Sequence, residues 1–397
     1  MSRSGQQIGV LGGGQLGAFF TIAAKRFGYF VTVWDPDPNA PAHAWADETI
    51  AKGFDDPEGL HAFVKACAAA TYEWENVPVG LVEAIEAKMP VRPDNRVLRL
   101  LQNRAVEKDF LKDHGFPLTP YRLVRNAAEL QTAAEALGFP LVCKTATAGY
   151  DGQGQWTLKR PEEIALLAPR LRDCSEGWIV EQFVPYVMEI SIVSVRDAGG
   201  RIVTYPVAEN RHEAGILRQT NVPADIDTLL EKRVSSLSKE VLTALDGIGV
   251  FCIEFFLLKD NGLLINEIAP RPHNSGHYSL DACTISQFEQ QVRVVGGLPI
   301  EAPRLLSPAV MVNVLGHEIQ ALNRKRHLAA LMRIAGSRVY HYRKKNIKAR
   351  RKMGHITFVQ ADREQASARA ASARTILDGV AGTPKTGTEQ SATESIR

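Results

Sequence analysis

The chain has no apolar run approaching the roughly 18 residues that a membrane-crossing helix needs, so no membrane partner is expected. The segment Met1 to Gln7 shows no apolar stretch followed by a small-residue cleavage site, so a secretory leader is not expected and a cytoplasmic location is. Cysteine is scarce. Cys67, Cys143, Cys174, Cys252 and Cys283 form an odd set with no close pair, which fits neither a disulfide framework nor a zinc site and predicts reduced thiols in a core. Acidic residues are missing altogether between Glu318 and Asp362, whereas that stretch carries 12 of the 47 basic residues, from Arg324 to Lys352. The net charge of +3 therefore joins an acidic protein, at −9, to one basic strip. Aromatics in the strip are limited to Tyr340 and Tyr342, too few for the interleaved stacking residues of a nucleic-acid surface, and no nucleic-acid partner is expected.

What is present is 397 residues with 45% hydrophobic and 23% charged side chains, ordinary globular values and enough chain for two to three domains. The first hundred residues alternate strand and helix. Ile8 to Leu11 is a short apolar strand, Leu16 to Phe27 a helix stopped by Gly28, and Phe30 to Trp34 a second strand. Further helices are expected over Pro57 to Ala70 and Val79 to Lys88, with a strand at Thr71 to Trp74, and a long helix from Asn95 to Lys112 leads into a different region. There, strands over Pro140 to Lys144, Trp156 to Leu158, Trp178 to Phe183, Glu189 to Val195 and Ile202 to Ala208 predict a mostly antiparallel α+β domain, with one short helix from Pro161 to Ala168. Val250 to Leu258 and Leu263 to Ile268 form a hairpin across Asp260-Asn261-Gly262. Residues 362–397, with few large aliphatics, are expected to fray and lie outside any core.

Four motifs carry chemistry. Gly12-Gly13-Gly14-Gln15-Leu16-Gly17 follows a strand, opens a helix and is followed by Asp35 at the next strand end, the pattern of a dinucleotide site. Its backbone N–H groups would equally suit another phosphate or ribose ligand, or a tight packing turn. The glycine-containing loop Gly149 to Gln155 follows Lys144 closely, and it suits either a flap closing over phosphates with Lys144 as the point charge, or a plain β-hairpin. With a two-residue turn at Asn261-Gly262, Glu267 would oppose Phe256, and Glu254 would lie diagonally on the same face, roughly 7 to 8 Å away. Two carboxylates so placed either share a solvated face or call for a cation between them, for which an all-oxygen donor set selects Mg²⁺, and a one-residue bulge or a longer loop would break this geometry. Behind that strand, Arg271-Pro272-His273-Asn274-Ser275-Gly276-His277 concentrates polar groups. His273 and His277 have helix-face spacing but are flanked by Pro272 and Gly276, so they make a poor zinc pair.

Taken together, Lys144, the Gly149-Tyr150-Asp151-Gly152 loop, Glu181-Gln182-Phe183-Val184 with Glu189, Glu254 and the block from Asn266 to His277 resemble the ATP-grasp ligases. Within them, the chain from about Ile8 to Val359 resembles the N5-carboxyaminoimidazole ribonucleotide synthetase family, biotin-independent carboxylases of purine biosynthesis. The resemblance implies an α/β and α+β multidomain fold: a Rossmann-like pre-ATP-grasp domain over 1–105, an ATP-grasp domain over 106–300 with its flap at about 115–188, and a small C-terminal domain over 301–361. It implies ATP and Mg²⁺ as cofactors, bicarbonate and 5-aminoimidazole ribonucleotide as substrates, and a homodimer.

By the same resemblance ATP would meet Arg104, Lys144, Gly149, Gly152, Gly154 and Gln155, the Glu181, Gln182, Phe183 and Val184 stretch, Glu189, His212, Asn266 and Glu267. Glu254 and Glu267 would hold the metal, and Tyr150, Asp151, Arg271, His273, Asn274, Arg351 and Lys352 would face the ribonucleotide and the carboxyphosphate intermediate. Gln153 stands where that family usually has Arg or Lys. Other ATP-grasp ligases, such as a formate-using glycinamide ribonucleotide transformylase, and a nicotinamide-dependent oxidoreductase resting on Gly12 to Gly17 are the competing readings.

Overall fold

Strand β1 (Gln7–Leu11) is buried along its whole length, as a near-continuous apolar run in a parallel sheet should be. It pairs in parallel with β2 (Phe30–Trp34) and with β4 (Ala69–Tyr72), and β3 (Glu48–Ile50) adds to β2, giving the order β3-β2-β1-β4. The computed structural model describes residues 7–147, 154–173 and 176–381. The helix Gln15–Arg26 starts directly after the glycine turn and packs on the helix Gln287–Val295, joining this sheet to the middle of the chain. The expected helix Pro57 to Ala70 ends at Ala66, and the strand after it begins two residues earlier than the pattern suggested.

The expected long helix from Asn95 to Lys112 is two helices, Asn95–Leu101 and Arg104–Asp113. Asn103 breaks it: its backbone is extended and its side-chain oxygen accepts the N–H groups of Ala105 and Val106, the role of an N-cap. The break turns the second helix so that Arg104, Glu107 and Lys108 are delivered to the centre of the molecule.

A four-stranded antiparallel sheet follows, in the order β5 (Tyr121–Val124), β8 (Trp178–Gln182), β6 (Leu141–Thr145), β7 (Gln155–Leu158). The largest sheet has nine strands. Its path runs β14 (Leu263–Ala269), β13 (Gly249–Leu258), β9 (Tyr186–Arg196), β11 (Ala208–Glu213), β12 (Ile216–Val222), β15 (Ala309–Leu315), β17 (Lys352–Val359) and β16 (Ser337–His341), with β10 (Ile202–Thr204) on the side of β9. One strand expected over Ile202 to Ala208 is thus two, separated at Pro206, which has no N–H to give a ladder. Antiparallel pairing of β12 with β15, Gln219 opposite Val312, makes the central and C-terminal parts one continuous sheet.

The tail departs most from expectation. Arg363–Ala381 is a helix docked on β15, burying Ala366, Ala370, Ala373 and Leu377 at intervals of three and four residues. A stripe of alanines brings the helix backbone close to the sheet, so a core face forms without large aliphatics. Residues 382–397 lie outside the described residues. The four described cysteines are free and buried, and no described helix is long and apolar enough to cross a membrane.

Candidate active site

A cleft of about 920 Å³ lies between the two antiparallel sheets, closed on one side by the loops after β1 and β4 and on another by residues 344–352. At its floor is the β13–β14 hairpin, and the register differs from the two-residue-turn expectation. Leu257 pairs with Leu263, so the loop spans Leu258 to Gly262, held by Asn261 N–H to Leu258 O at 3.0 Å and Leu258 N–H to Gly262 O at 2.9 Å. A β-bulge then gives β14 an extra residue at Asn266, after which Glu254 pairs directly with Glu267. The carboxylates are therefore direct cross-strand neighbours, closer than the diagonal pair expected.

Burial, and then Glu267, push the Glu254 carboxyl up to about 7, so the second charge of the pair is costly unless a proton or a metal cation offsets it. The oxygen-only donors Glu254, Glu267 and Asn266 fit Mg²⁺. No group of three or more His, Cys, Asp or Glu suited to a metal occurs among the described residues, so such an ion would draw the rest of its shell from phosphate oxygens and water. Glu107, which sequence reasoning missed, reaches across from the helix Arg104–Asp113 and accepts the Ile268 N–H at 2.6 Å, fixing the strand just beyond the bulge. Burial and then Glu267 push it up to about 8.

One wall carries Lys144 on β6. Its ammonium lies 2.9 Å from Glu181 Oε2 and donates to Asn266 Oδ1 at 3.3 Å, tying the flap sheet to the hairpin. Glu181 Oε1 meets Lys108 Nζ at 2.8 Å. Burial acts to raise Glu181, but Lys144 and Lys108 outweigh it and hold the carboxyl at about 2. Arg104 lines the cleft beside them and donates to Thr145 O at 3.0 Å. Gln155 pairs with Lys144 across β6 and β7, and Gly154, at φ +73°, accepts the Thr145 N–H at 2.9 Å. Gly149, Tyr150, Asp151 and Gly152 lie outside the described residues.

Gln182, Phe183 and Val184 continue the wall beyond Glu181, with Phe183 half-exposed into the opening. Beyond them Glu189 is held from two sides: Tyr186 donates its hydroxyl at 2.5 Å, and His212 Nδ1 lies 2.6 Å away. A bulge at Arg218 of β12, opposite Arg211 and His212, accompanies that placement. Burial acts to lower His212 but Glu189 raises it above its ordinary value, and His212 in turn lowers Glu189 against its burial. Tyr186 stacks on Phe256 with ring centroids 4.7 Å apart.

The opposite wall holds the polar block after β14. Arg271 forms a two-point fork with Glu75 from the loop after β4, Nη2 to Oε1 at 2.7 Å and Nε to Oε2. The pair resists its own burial, which holds Arg271 above and Glu75 below their ordinary values. His273 is kept well below the usual imidazole range by burial, Arg271 and Lys352, so it is neutral. Its Nδ1 lies 2.8 Å from Ser275 Oγ. That removes it as a cationic polarising group. Asn274, expected against substrate, borders the cleft but exchanges two amide hydrogen bonds with Asn313, at 3.1 and 2.6 Å. Its side chain locks the loop to β15 and leaves little for a ligand.

The basic strip contributes more than the two residues expected. Lys344, Lys348, Arg350, Arg351 and Lys352 all border the cleft. Arg350 also donates to Ala214 O at 2.6 Å, holding the tip of the β11–β12 hairpin. Conversely, the glycine turn has little left for a dinucleotide. The Gly13 N–H is taken by Asp35 at 2.6 Å, and those of Gly14 and Gly17 by the two oxygens of part-buried Glu73, the latter at 2.6 Å. The molecule's own carboxylates fill the anion position, which favours the packing-turn reading.

Comparison with known proteins gives the family and the fold. Residues 5–102 match the ribonucleotide synthetase preATP-grasp domain, 109–288 the ATP-grasp domain and 309–369 the phosphoribosylaminoimidazole carboxylase C-terminal domain. The chain is 37% identical over 361 residues to the N5-carboxyaminoimidazole ribonucleotide synthase of Bacillus subtilis, covering 91% of this chain and 93% of the relative. An N5-carboxyaminoimidazole ribonucleotide synthetase solved as its ADP complex superposes with a TM-score of 0.90 at 36% identity, covering 96% of this chain and 98% of that one. The Aspergillus clavatus enzyme, solved with ADP and 5-aminoimidazole ribonucleotide, superposes at 0.87 with 28% identity, covering 95% and 100%.

Proposed function

The chain belongs to the N5-carboxyaminoimidazole ribonucleotide synthases, ATP-dependent ligases of purine biosynthesis, and we propose how the residues of its cleft divide that reaction. ATP is cleaved to phosphorylate bicarbonate, and the exocyclic amine of 5-aminoimidazole ribonucleotide captures the carboxyl group of the resulting carboxyphosphate. In the first step a bicarbonate oxygen attacks the γ-phosphorus and the bond to the β-phosphate oxygen breaks, releasing ADP. In the second the amine nitrogen bonds the carboxyl carbon, phosphate leaves and the amine gives up a proton.

The opposed pair Glu254 and Glu267 carries this reading, because it gathers two carboxylates near Lys144 and Asn266, an oxygen donor set that suits a divalent cation. Bound there, Mg²⁺ would supply charge neutralisation for the phosphoryl group in flight. Lys144 and Arg104 face the nucleotide phosphates, Glu181 to Val184 border the adenine and Glu189 with His212 hold the ribose hydroxyls.

Arg271, already fixed by Glu75, and Lys352 offer positive charge to carboxyphosphate, with the other basic residues of 344–351 attracting the ribonucleotide phosphate. Neutral His273 has a ring nitrogen, Nε2, 3.6 Å from Glu254 Oε1, and borders the carboxyphosphate as an uncharged ring rather than as a polarising cation. Closure of the Gly149 to Gly152 loop with Tyr150 and Asp151 would exclude water from a short-lived intermediate, and Asp151 would orient the amine. Phosphate release that requires bicarbonate and 5-aminoimidazole ribonucleotide together, and is not supported by formate, tests the assignment.

A further inference from the structure

Lys108 is a charge with no route to the ligand. It sits on the helix Arg104–Asp113, one turn beyond Arg104, with its side chain 3% exposed, and it does not border the cleft. Its ammonium lies 2.8 Å from Glu181 Oε1 and 5.8 Å from the centroid of the Tyr121 ring. Glu181, itself 4% exposed, presents its other oxygen to Lys144 at 2.9 Å. Two ammonium groups thus share one carboxylate, and only the second of them borders the cleft.

The charge count gives this arrangement a consequence. Glu181 with Lys144 alone would be a neutral pair, and the lysine facing the phosphates would have its charge cancelled by its neighbour. With Lys108 behind it the trio carries one net positive charge, and the only member that can present it to a ligand is Lys144. We propose that Lys108 is a positioning residue that neutralises Glu181 from behind and so releases the charge of Lys144 to the nucleotide phosphates. The proposal rests on the placement of Lys144 against those phosphates given above. It predicts that Lys108 matters to the phosphates of the nucleotide and not to its base, because its effect reaches the ligand through the charge of Lys144.

Isothermal titration of the full-length protein with ADP and with adenosine separates these effects. Lys108→Met should weaken ADP at least 10-fold and leave adenosine within 2-fold of the unsubstituted chain. Adding Glu181→Gln to Lys108→Met removes the carboxylate that captures Lys144 and should restore the ratio of ADP to adenosine affinity to within about 3-fold, whatever Glu181 itself contributes to the adenine. The double variant removes the two buried charges of Lys108 and Glu181 together, so it carries the test even if the single one fails to fold. ADP affinity unchanged by Lys108→Met, equal losses for ADP and adenosine, or a double variant whose ratio of ADP to adenosine affinity stays more than 3-fold below that of the unsubstituted chain would each overturn the assignment. Lys144→Met binding ADP with undiminished affinity would show the different failure, that of the Lys144 placement, and would remove the assignment with it.

Discussion

Glu254 and Glu267 are direct partners across an antiparallel ladder, a pairing produced by a five-residue loop and a single bulge at Asn266. Like charges opposed on a sheet are destabilising in themselves. Glu267→Gln is therefore expected to lower ATP cleavage by about 10²–10³-fold, the scale of losing one preorganised electrostatic contact, while the metal-free variant melts no lower than the unsubstituted chain. Thermal melts with and without Mg²⁺ and ADP check it. Undiminished stabilisation of the variant by Mg²⁺ with ADP would place the cation elsewhere.

The Arg271 fork on Glu75 joins residues 196 positions apart and ties the first domain to the site. Glu75→Ala should cost about 1–3 kcal/mol, because it strands a part-buried guanidinium, and Glu75→Gln should cost less by keeping one acceptor. Urea denaturation of the two variants measures this. Equal and negligible losses would mean that solvent already satisfies Arg271.

The His212–Glu189 pair sets a pH dependence. His212 titrates above its ordinary 6.5 when folded, so its contribution to stability is complete below 6.5 and is lost as pH rises through the folded value. In Glu189→Gln the burial of His212 should dominate and move its titration midpoint downward. Ring-proton resonances followed by NMR against pH give that midpoint directly, and an unmoved midpoint would contradict the pairing.

Ala370 is buried where the helix Arg363–Ala381 docks. Ala370→Leu should destabilise by about 1–3 kcal/mol through overpacking, whereas the same change at exposed Arg369 should stay within about 0.5 kcal/mol. Chemical denaturation distinguishes them, and equal effects would mean that the helix is undocked.

Much of the site was legible because its residues are close in sequence or on elements with clear periodicity. Lys144 at a strand end and the two hairpin glutamates follow from alternation and turn signals, whereas the Glu181 to Val184 stretch takes its role only from the family resemblance, and the glutamates share a face as expected. Their exact register was not legible. Loop length and a bulge are offset choices that composition does not fix: the longer loop moves the pairing by three positions and the bulge returns one.

Glu75, Glu107 and Lys108 escaped notice for a different reason. They act across the fold, on Arg271, Ile268 and Glu181, and each lies in a segment whose local pattern says only helix or strand end. The glycine fingerprint shows the reverse case, a strong local signal whose donors the fold itself consumes through Asp35 and Glu73. The docked C-terminal helix was hidden because its buried face is mainly alanine.

The most direct measurement is phosphate release by the purified full-length chain, supplied with ATP, Mg²⁺, bicarbonate and 5-aminoimidazole ribonucleotide, with each omitted in turn. Release that requires all four, with formate unable to replace bicarbonate, is the predicted result. ATP cleavage indifferent to bicarbonate and to the ribonucleotide would contradict the account.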